Sequence, residues 1–506
     1  MYINNDRVLK SKEESSSMGP THPSTVRTVN ALYLVLKTMG AEVTEEYVSL
    51  NTRILQDREE TLGASDTKTV ETVTQLGLQL MELGRNVDAL PLMLRSLQDT
   101  TASLGTEHIA TLNVVNTLAI LYNRLGRFDA AWEMFQVSLK GKTKVMGKDH
   151  LSTIDTLSSM GDLLSDQEKL VDSIFFYKLA LAGKEKVIGL EHGSTLATVG
   201  TLGVMYNKQG NFPQAMLHFE RALKGFIKLA GDDKLDKNAL TMLHFIGLIR
   251  NNVNKHESAY KTILACLNGR EQEFDGAHHI STIDALHSLG IVLSKMGRHD
   301  EALKAFETCL DSKRPLLGEN HASTLDTLNN MGNCLNRANK LEQAFSVYKM
   351  VLARKEQALG PEHPSTLETV SNLALLLRKI GKADDSLVLY RRLLGSYVRS
   401  LGVEHKLTLD TAFVIGHLFF QQNRLEEGQK FLHRALAGYE KTLGFVALKM
   451  CLFNNNNNNK FINQSLLFYF TFLLHTHTLS LSLSLSLSLL YISLFPSKFS
   501  IILFLR

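Results

Sequence analysis

A glycine recurs along this chain at an almost fixed interval, and this regularity constrains the fold more than any other feature. It stands at Gly19, Gly63, Gly105, Gly147, Gly189, Gly231, Gly276, Gly318, Gly360, Gly402 and Gly444. Eight of the ten intervals are 42 residues long, and the other two are 44 and 45. A fixed period of this length is typical of repeat proteins, whose units bury their apolar faces against each other. The sequence therefore predicts ten repeats over residues 19–444.

Each repeat reads as two helices separated by a turn. Apolar residues recur at steps of three and four, as in Leu325, Leu328, Met331 and Leu335, which places them on one helical face. Twenty-one residues after each junction glycine stands a second Gly or an Asn, residue types that enter the left-handed conformation easily. Glu168 is the exception. We expect an all-α solenoid, a superhelix of about ten helical hairpins.

The region outside the repeats is polar at one end and of low complexity at the other. Residues 1–18 are predicted to be a disordered N-terminus without a signal peptide.

The four cysteines form no pairing motif, which indicates free thiols and a cytoplasmic protein: Cys266, Cys309, Cys334 and Cys451. The net charge is +4, and all of it comes from residues 445–506, because residues 1–444 are formally neutral. Nucleic-acid binding is therefore not expected.

The small and aromatic residues of each repeat resemble the tetratricopeptide repeat. One repeat carries the whole pattern: Leu202, Gly203, Tyr206, Ala215, Phe219 and Ala222. The 42-residue period and the junction LG-x-x-H-x-x-T-L, as at 359–367, are similar to the kinesin light chain subtype. The resemblance implies a non-catalytic interaction scaffold whose concave groove, lined by the first helix of each repeat, binds a linear peptide or a partner protein.

The groove positions lie 8, 11, 15, 18 and 19 residues after each junction glycine. Asparagine there offers a donor and an acceptor to a peptide backbone, and flanking Arg or Lys favours an acidic ligand. The candidate residues are Asn113, Asn116, Asn123, Arg124, Asn207, Lys208, Lys295, Asn329, Asn333, Asn336, Arg337 and Arg378. Two observations leave the alternatives open. Polar residues on an exposed helix face can simply be solvated, and Asp155, Asp162 and Asp166 put negative charge at the same positions.

Two further functions compete with the general scaffold. Cargo adaptation on a kinesin motor follows from the subtype, but the 18 residues before the repeats contain no heptads, so attachment to a motor heavy chain through a coiled coil is not expected. A tail-anchored membrane scaffold depends on residues 445–506 alone. That tail carries His-Thr and Leu-Ser alternation, as translated CA and CT dinucleotide repeats would, which favours translated noncoding sequence.

No catalytic, metal or cofactor site is predicted. Histidine follows the junction glycine by three residues in eight of ten repeats, so these histidines are spread along the array instead of converging on one ion. A helix-capping role suits them better, because Pro23 and Pro364 follow two of them at the first helical position. Their predicted role is therefore structural.

Overall fold

The computed structural model describes Thr28 and residues 45–231, 235–273 and 279–453, with side chains described as far as residue 442 except at 46 and 47. The predictions for residues 1–18, for the first helix after Gly19, for Gly276 and for the tail from residue 454 lie outside these residues. The described part contains no strand and agrees with the predicted all-α class.

Nineteen helices follow one another in the described residues. The even-numbered ones, called first helices here, have 16 residues each, and the odd-numbered ones are called second helices. Their bounds are α1 Glu45–Thr61, α2 Thr67–Glu82, α3 Asn86–Leu104, α4 Ile109–Arg124, α5 Phe128–Met146, α6 Leu151–Asp166, α7 Leu170–Ile188, α8 Gly193–Lys208, α9 Phe212–Ala230, α10 Lys237–Asn252, α11 His256–Glu273, α12 Ile280–Lys295, α13 His299–Leu317, α14 Ala322–Arg337, α15 Leu341–Ala358, α16 Pro364–Lys379, α17 Ala383–Leu401, α18 Lys406–Gln421 and α19 Leu425–Phe453.

The recurring histidine caps the first helix, as the sequence predicts. In α14, Nδ1 of His321 accepts a hydrogen bond from the backbone N–H of Ser323 at 3.2 Å. Nδ1 of His363 accepts from Ser365 in the same way in α16. Such a bond satisfies one of the backbone donors that the first helical turn leaves unpaired. Asp66 takes over this cap in α2, where the histidine is missing.

The turn inside each hairpin is left-handed, even where the sequence departs from its own rule. Gly126 has a φ of 72° and Asn339 a φ of 59°. Asn254 adopts 62°, which agrees with its assignment to this turn in the longer repeat. Glu168 adopts 61° although it has neither the freedom of glycine nor the short amide of asparagine. Packing of the two helices therefore determines the left-handed conformation of this turn. The residue type changes only the free-energy cost of adopting it.

A small residue in the middle of each first helix lets the second helix come close. A Cβ added to Gly332 would lie 2.7 Å from the ring of Tyr348, and one added to Gly203 would lie 2.8 Å from Phe219. The aromatic rings fill this space and are buried. Glycine at this position thus allows a large ring to pack directly on the neighbouring backbone.

The contacts divide the chain into two units, Met1–Ala285 and Leu286–Arg506. In the first unit, Leu196, Val199 and Phe219 belong to a continuous buried cluster between consecutive hairpins. In the second, Val370, Leu409 and Phe413 do the same. Within each unit, a first helix packs against the second helices before and after it, so the apolar core runs from hairpin to hairpin.

Three cysteines are buried free thiols: Cys266, Cys309 and Cys334. The side chain of Cys451 lies outside the described part. None of the helices described here is both long and apolar enough to cross a bilayer.

Candidate functional site

The twelve candidate residues all lie on first helices, but they fall in different units. The first unit carries those of α4 and α8, and the second carries those of α12, α14 and α16. Each unit therefore has its own candidate face, and the contacts of the candidates differ between the two.

Asn329 is turned inward in the second unit. It is only 2% exposed, and its Oδ1 accepts hydrogen bonds from Thr369 Oγ1 at 3.2 Å and Asn372 Nδ2 at 3.5 Å. Its Nδ2 donates to Glu368 Oε1 at 3.4 Å. All three partners belong to α16, so the amide of Asn329 joins two consecutive first helices.

Asn333 likewise forms a hydrogen bond, in this case with a residue of its own hairpin. Its Oδ1 accepts a hydrogen bond of 2.6 Å from the hydroxyl of Tyr348. Asp162 and Tyr177 form the same pair in the first unit. Burial raises the pKa of Asp162, and the bond from Tyr177 opposes this rise. Where the ring lacks a hydroxyl, the residue at the asparagine position is apolar: Ile120 with Phe135, Val204 with Phe219 and Ile291 with Phe306.

Arg124 and Lys208, two of the candidate cations, and the non-candidate Lys379 bridge consecutive first helices. In the first unit, Nη1 of Arg124 donates to the carbonyl of Met81 at 2.6 Å, and Nζ of Lys208 donates to Ser165 Oγ at 3.0 Å. In the second unit, Lys379 donates to both the carbonyl and Oδ1 of Asn336. All of these partners are 43 residues apart. These bonds brace the array, so the cations are held in place at the edge of the face.

Positive charge gathers along the second unit on three successive first helices. Lys295, Arg337 and Arg378 lie in the last turns of α12, α14 and α16 respectively. Burial lowers the pKa of Lys295, and the charge of Arg337 lowers it further. The opposite ends of these helices carry Asp326 and Glu368. One edge of this face is therefore basic, whereas Asp326 at the other edge is paired with Lys355.

In the first unit, several polar atoms are buried without a hydrogen-bond partner among the described residues. Four of them, here called the acceptor row, are Oδ1 of Asn116, Asn123 and Asn207 and Oγ of Ser158. They lie on α4, α6 and α8, which are consecutive first helices. Nδ2 of Asn123 donates to Asp166 at 2.6 Å, which leaves the carbonyl oxygen of that amide as its open acceptor. A buried acceptor of this kind requires a donor from water or from a ligand.

The remaining candidate of α4 is already in contact with the next repeat. Oδ1 of Asn113 accepts a hydrogen bond from Ser152 Oγ at 3.3 Å. Ser152 in turn supplies its backbone carbonyl to Nζ of Lys142 at 3.4 Å. Asn113 is thus at the rim of the face, beside a buried lysine.

Sequence reasoning missed a row of buried lysines near the ends of the second helices. Lys142, Lys184, Lys313 and Lys355 are all buried, and each stands five residues before a junction glycine. Lys184 pairs with Asp155 at 3.0 Å, and Lys355 pairs with Asp326 at 2.7 Å. Burial lowers the pKa of Lys142 from 10.5 to about 8, although Asp155 opposes this shift. The regular spacing was the signal that could have revealed them.

No group of three or more His, Cys, Asp or Glu gathers as metal ligands within the described ranges. His287 takes part in side-chain hydrogen bonds between helices instead of binding a metal. It lies 3.0 Å from Thr327 Oγ1 and 3.2 Å from Asn330 Nδ2, and burial lowers its pKa to about 4. Its ring is therefore neutral at physiological pH and serves as a hydrogen-bonding member of the packing.

A tetratricopeptide repeat family model matches residues 69–144, 238–315, 281–357, 323–397 and 365–441, and a second such model matches 195–234. The first model alone covers more than half of the chain. The chain belongs to the tetratricopeptide repeat family. The histidine caps, left-handed turns and ring-on-glycine contacts described above are thus features of a tetratricopeptide hairpin as this sequence builds it.

Several solved structures are similar to this chain. A putative kinesin light chain with nearly identical TPR-like repeats from Podosopora anserina is 19% identical, with a TM-score of 0.36, covering 40% of this chain and 96% of that one. The apo form of RapI is 13% identical, with a TM-score of 0.50, covering 74% and 98%. The quorum sensor NprR from B. thuringiensis in its apo form is 16% identical, with a TM-score of 0.49, covering 76% and 99%. No curated protein matches the sequence.

Proposed function

We propose that this tetratricopeptide protein is a non-catalytic scaffold that binds an extended segment of another protein along the first helices of its first unit. The acceptor row is the observation that carries the proposal. Asn116 and Asn123 on α4, Ser158 on α6 and Asn207 on α8 offer oxygens that no described protein group satisfies. An extended polypeptide presents backbone N–H groups at regular intervals, so it can supply the missing donors without regard to sequence.

The charges beside the row favour one class of segment. Asp162 and Asp166 lie on α6, between the two helices that carry the asparagines. The nearest candidate cations, Arg124 and Lys208, already donate to Met81 and Ser165. We therefore expect the bound segment to carry a basic side chain opposite α6, which replaces the acidic ligand expected from the sequence.

The proposed partner is a protein or peptide met in the cytoplasm. Three buried free thiols, those of Cys266, Cys309 and Cys334, suit a reducing compartment.

Among the solved relatives, one Rap protein was determined in complex with Competence and Sporulation Factor, at 14% identity and a TM-score of 0.49, covering 74% of this chain and 99% of that one. That ligand belongs to the Rap protein, and our proposal rests on the acceptor row alone.

A peptide selection tests the proposal. Random peptides of about 12 residues reach about 40 Å when extended, which is long enough to cross several helices. Peptides selected on the full chain should lose about tenfold or more in affinity for the variant N116A/N123A/N207A. The control variant Q136A/Q214A/E220A changes exposed residues of the second helices α5 and α9 and should bind as the parent does. Equal affinity for the parent and the asparagine variant would refute the proposal.

A further inference from the structure

On the first helices of the first unit, one residue lies between the two positions that carry the acceptor row. On α4, Ile120 comes four residues after Asn116 and three before Asn123, so the three side chains lie on one helical face. A helix rises by about 1.5 Å per residue, so these acceptors lie about 6 Å and about 4.5 Å from Ile120 along the helix axis, one on each side. The residues at this position, here called the central row, are Leu78, Ile120, Asp162, Val204 and Leu248.

An extended segment that crosses the first helices over the central row fits this arrangement. In an extended chain the backbone N–H groups of successive residues point to opposite edges, and the side chains point alternately up and down. The N–H groups would then face Asn116 and Ser158 along one edge and Asn123 and Asn207 along the other. Every second side chain would point down onto the central row. The acceptor row therefore binds the backbone of such a segment, and the central row contacts its side chains.

The central row is apolar except for one carboxylate. Ile120 and Val204 are half-buried and pack on the apolar clusters beneath them. Asp162 lies between them on α6 and is exposed. Tyr177 donates a hydrogen bond to Asp162, and Asn123 donates one to Asp166. Within the described residues no cation forms an ion pair with either carboxylate, so the negative charge of α6 is available to a ligand.

The electrostatics of Asp162 favour a cationic ligand. Asp162 and Asp166 are four residues apart on the same helix, where like charges repel. Burial raises the pKa of Asp162 and the charge of Asp166 adds to the rise, whereas the bond from Tyr177 and the charge of Lys208 oppose it. The ammonium of Lys208 is itself held by Ser165. A basic side chain from a bound segment would relieve the repulsion between the two carboxylates.

From this geometry we infer that the first unit selects a partner segment in which one basic side chain lies between two apolar side chains. Asp162 selects the basic side chain, and Ile120 and Val204 contact the apolar ones. The order is the same for both directions of the bound chain, because the carboxylate is in the middle. The inference rests on the proposed function, since it assigns the side chains of the segment whose backbone the acceptor row binds.

The spacing of the three side chains follows from the helices that they contact. Packed helices have their axes about 8–10 Å apart, whereas two residues of an extended chain span about 6.8 Å. Only even intervals keep the side chains on one side of the segment. We therefore expect intervals of two or four residues between the basic side chain and each apolar one.

A double-mutant cycle on the full chain tests the role of Asp162. The probes are a peptide from the selection described above and the same peptide with its basic residue replaced by glutamine. D162N removes the charge but keeps an acceptor for Tyr177, as Asn333 does for Tyr348. The parent should bind the basic peptide about tenfold more tightly than the glutamine peptide, and D162N should bind both alike. D172N is the matched control, because it removes an exposed carboxylate from the first turn of α7 and should keep the preference of the parent.

A change of preference tests the apolar positions. V204D/F219Y copies the pair of Asp162 and Tyr177 into the next repeat, where a glycine likewise precedes the substituted position. Lysine in place of either apolar peptide residue should weaken binding to the parent by about tenfold, and one of these two peptides should bind V204D/F219Y about tenfold more tightly than it binds the parent. L375D is the matched control, because it places a carboxylate opposite Tyr390 at the same repeat position of the second unit and should bind as the parent does. Circular dichroism would verify that the variants are folded.

The outcomes separate this inference from the proposed function. Suppose that the selected peptides lose affinity for N116A/N123A/N207A, but carry acidic residues or bind the parent and D162N equally. The selection by Asp162 is then overturned, and the backbone contacts of the acceptor row stand. An unchanged preference in folded V204D/F219Y would overturn the assignment of the apolar positions. A selection without binders, or peptides that bind the parent and the asparagine variant alike, would refute the proposed function and this inference with it.

Discussion

The hydroxyl of Tyr348 on α15 donates a hydrogen bond to Oδ1 of Asn333 on α14 at 2.6 Å, and this bond ties the identity of a candidate binding residue to that of its hairpin partner. Other repeats place an aliphatic residue against phenylalanine at these positions, as Ile291 and Phe306 do. The pairing is not universal, because Leu375 and Tyr390 occupy these positions in another repeat. Where the polar pair is formed, removing one member would leave the other polar group without its partner.

Converting this pair in two steps should therefore give non-additive stability changes. Y348F should cost about 1–2 kcal/mol, because it removes the donor and leaves Oδ1 of Asn333 unpaired. The double variant N333I/Y348F reproduces the Ile291–Phe306 pair and should recover most of that loss. Urea denaturation of the parent, N333I, Y348F and the double variant gives the values that the comparison needs. Additive losses in the double variant would show that the hydrogen bond does not couple the two positions.

Replacing Asn113, near the buried Lys142, by aspartate should stabilise the fold, and the gain should depend on pH. In two other repeats the buried lysine pairs with a carboxylate, as Lys355 does with Asp326 at 2.7 Å, whereas Lys142 has Asn113 at the corresponding position. N113D should supply the missing carboxylate and stabilise the first unit. The pKa of Lys142 in the folded chain, about 8, lies below its ordinary value of 10.5. The folded parent therefore binds fewer protons than the unfolded chain between these pH values, and its stability rises with pH across that window.

Thermal melts of the parent and N113D from pH 7 to pH 10.5 would measure this effect. The advantage of N113D should be largest at pH 7, where Lys142 of the folded parent is mostly protonated, and should shrink towards pH 10.5 as the parent loses that proton. An advantage that does not change with pH would mean that the new carboxylate acts on something other than Lys142.

The left-handed turn at Glu168 offers a gain in stability. Asn254, Asn339 and Asn423 occupy the same turn with φ between 59° and 62°, and Glu168 has 61°. E168N should stabilise the chain by about 1 kcal/mol, because asparagine adopts this conformation at a lower cost than glutamate. G126V is the opposite control and should destabilise by about 1–2 kcal/mol. A melting temperature that falls in E168N would indicate that the glutamate side chain itself contributes to the turn.

Local features of the fold were predictable from the sequence because they depend on residues close together along the chain. The cap formed by His321 and Ser323 spans two residues, and the turn at Gly126 needs only its own φ. The helix faces followed from apolar spacing in the same way. Asn254 was placed correctly in its turn despite the irregular repeat length.

The roles of individual polar residues were less predictable, because their partners come from the next repeat or from the opposite helix. The sequence pattern predicts that Asn329 is an exposed groove residue, yet Asn329 is buried and bonded to Thr369, 40 residues away. Arg124 reads as a ligand-binding cation, yet it donates to the carbonyl of Met81, 43 residues away. A periodic sequence shows which positions face the same side, but the exact pairing of side chains across helices depends on their rotamers and on the spacing between hairpins.

The central claim, that the acceptor row receives backbone N–H groups of a bound segment, is tested most directly by titration calorimetry with a selected peptide and its N-methylated analogues. N-methylation removes one backbone donor at a time without changing any side chain. Methylation of the residues opposite Asn116, Asn123 or Asn207 should weaken binding to the parent by about tenfold, equivalent to about 1.4 kcal/mol, and should cause no further loss in N116A/N123A/N207A. Equal losses in the parent and in the variant would contradict the claim.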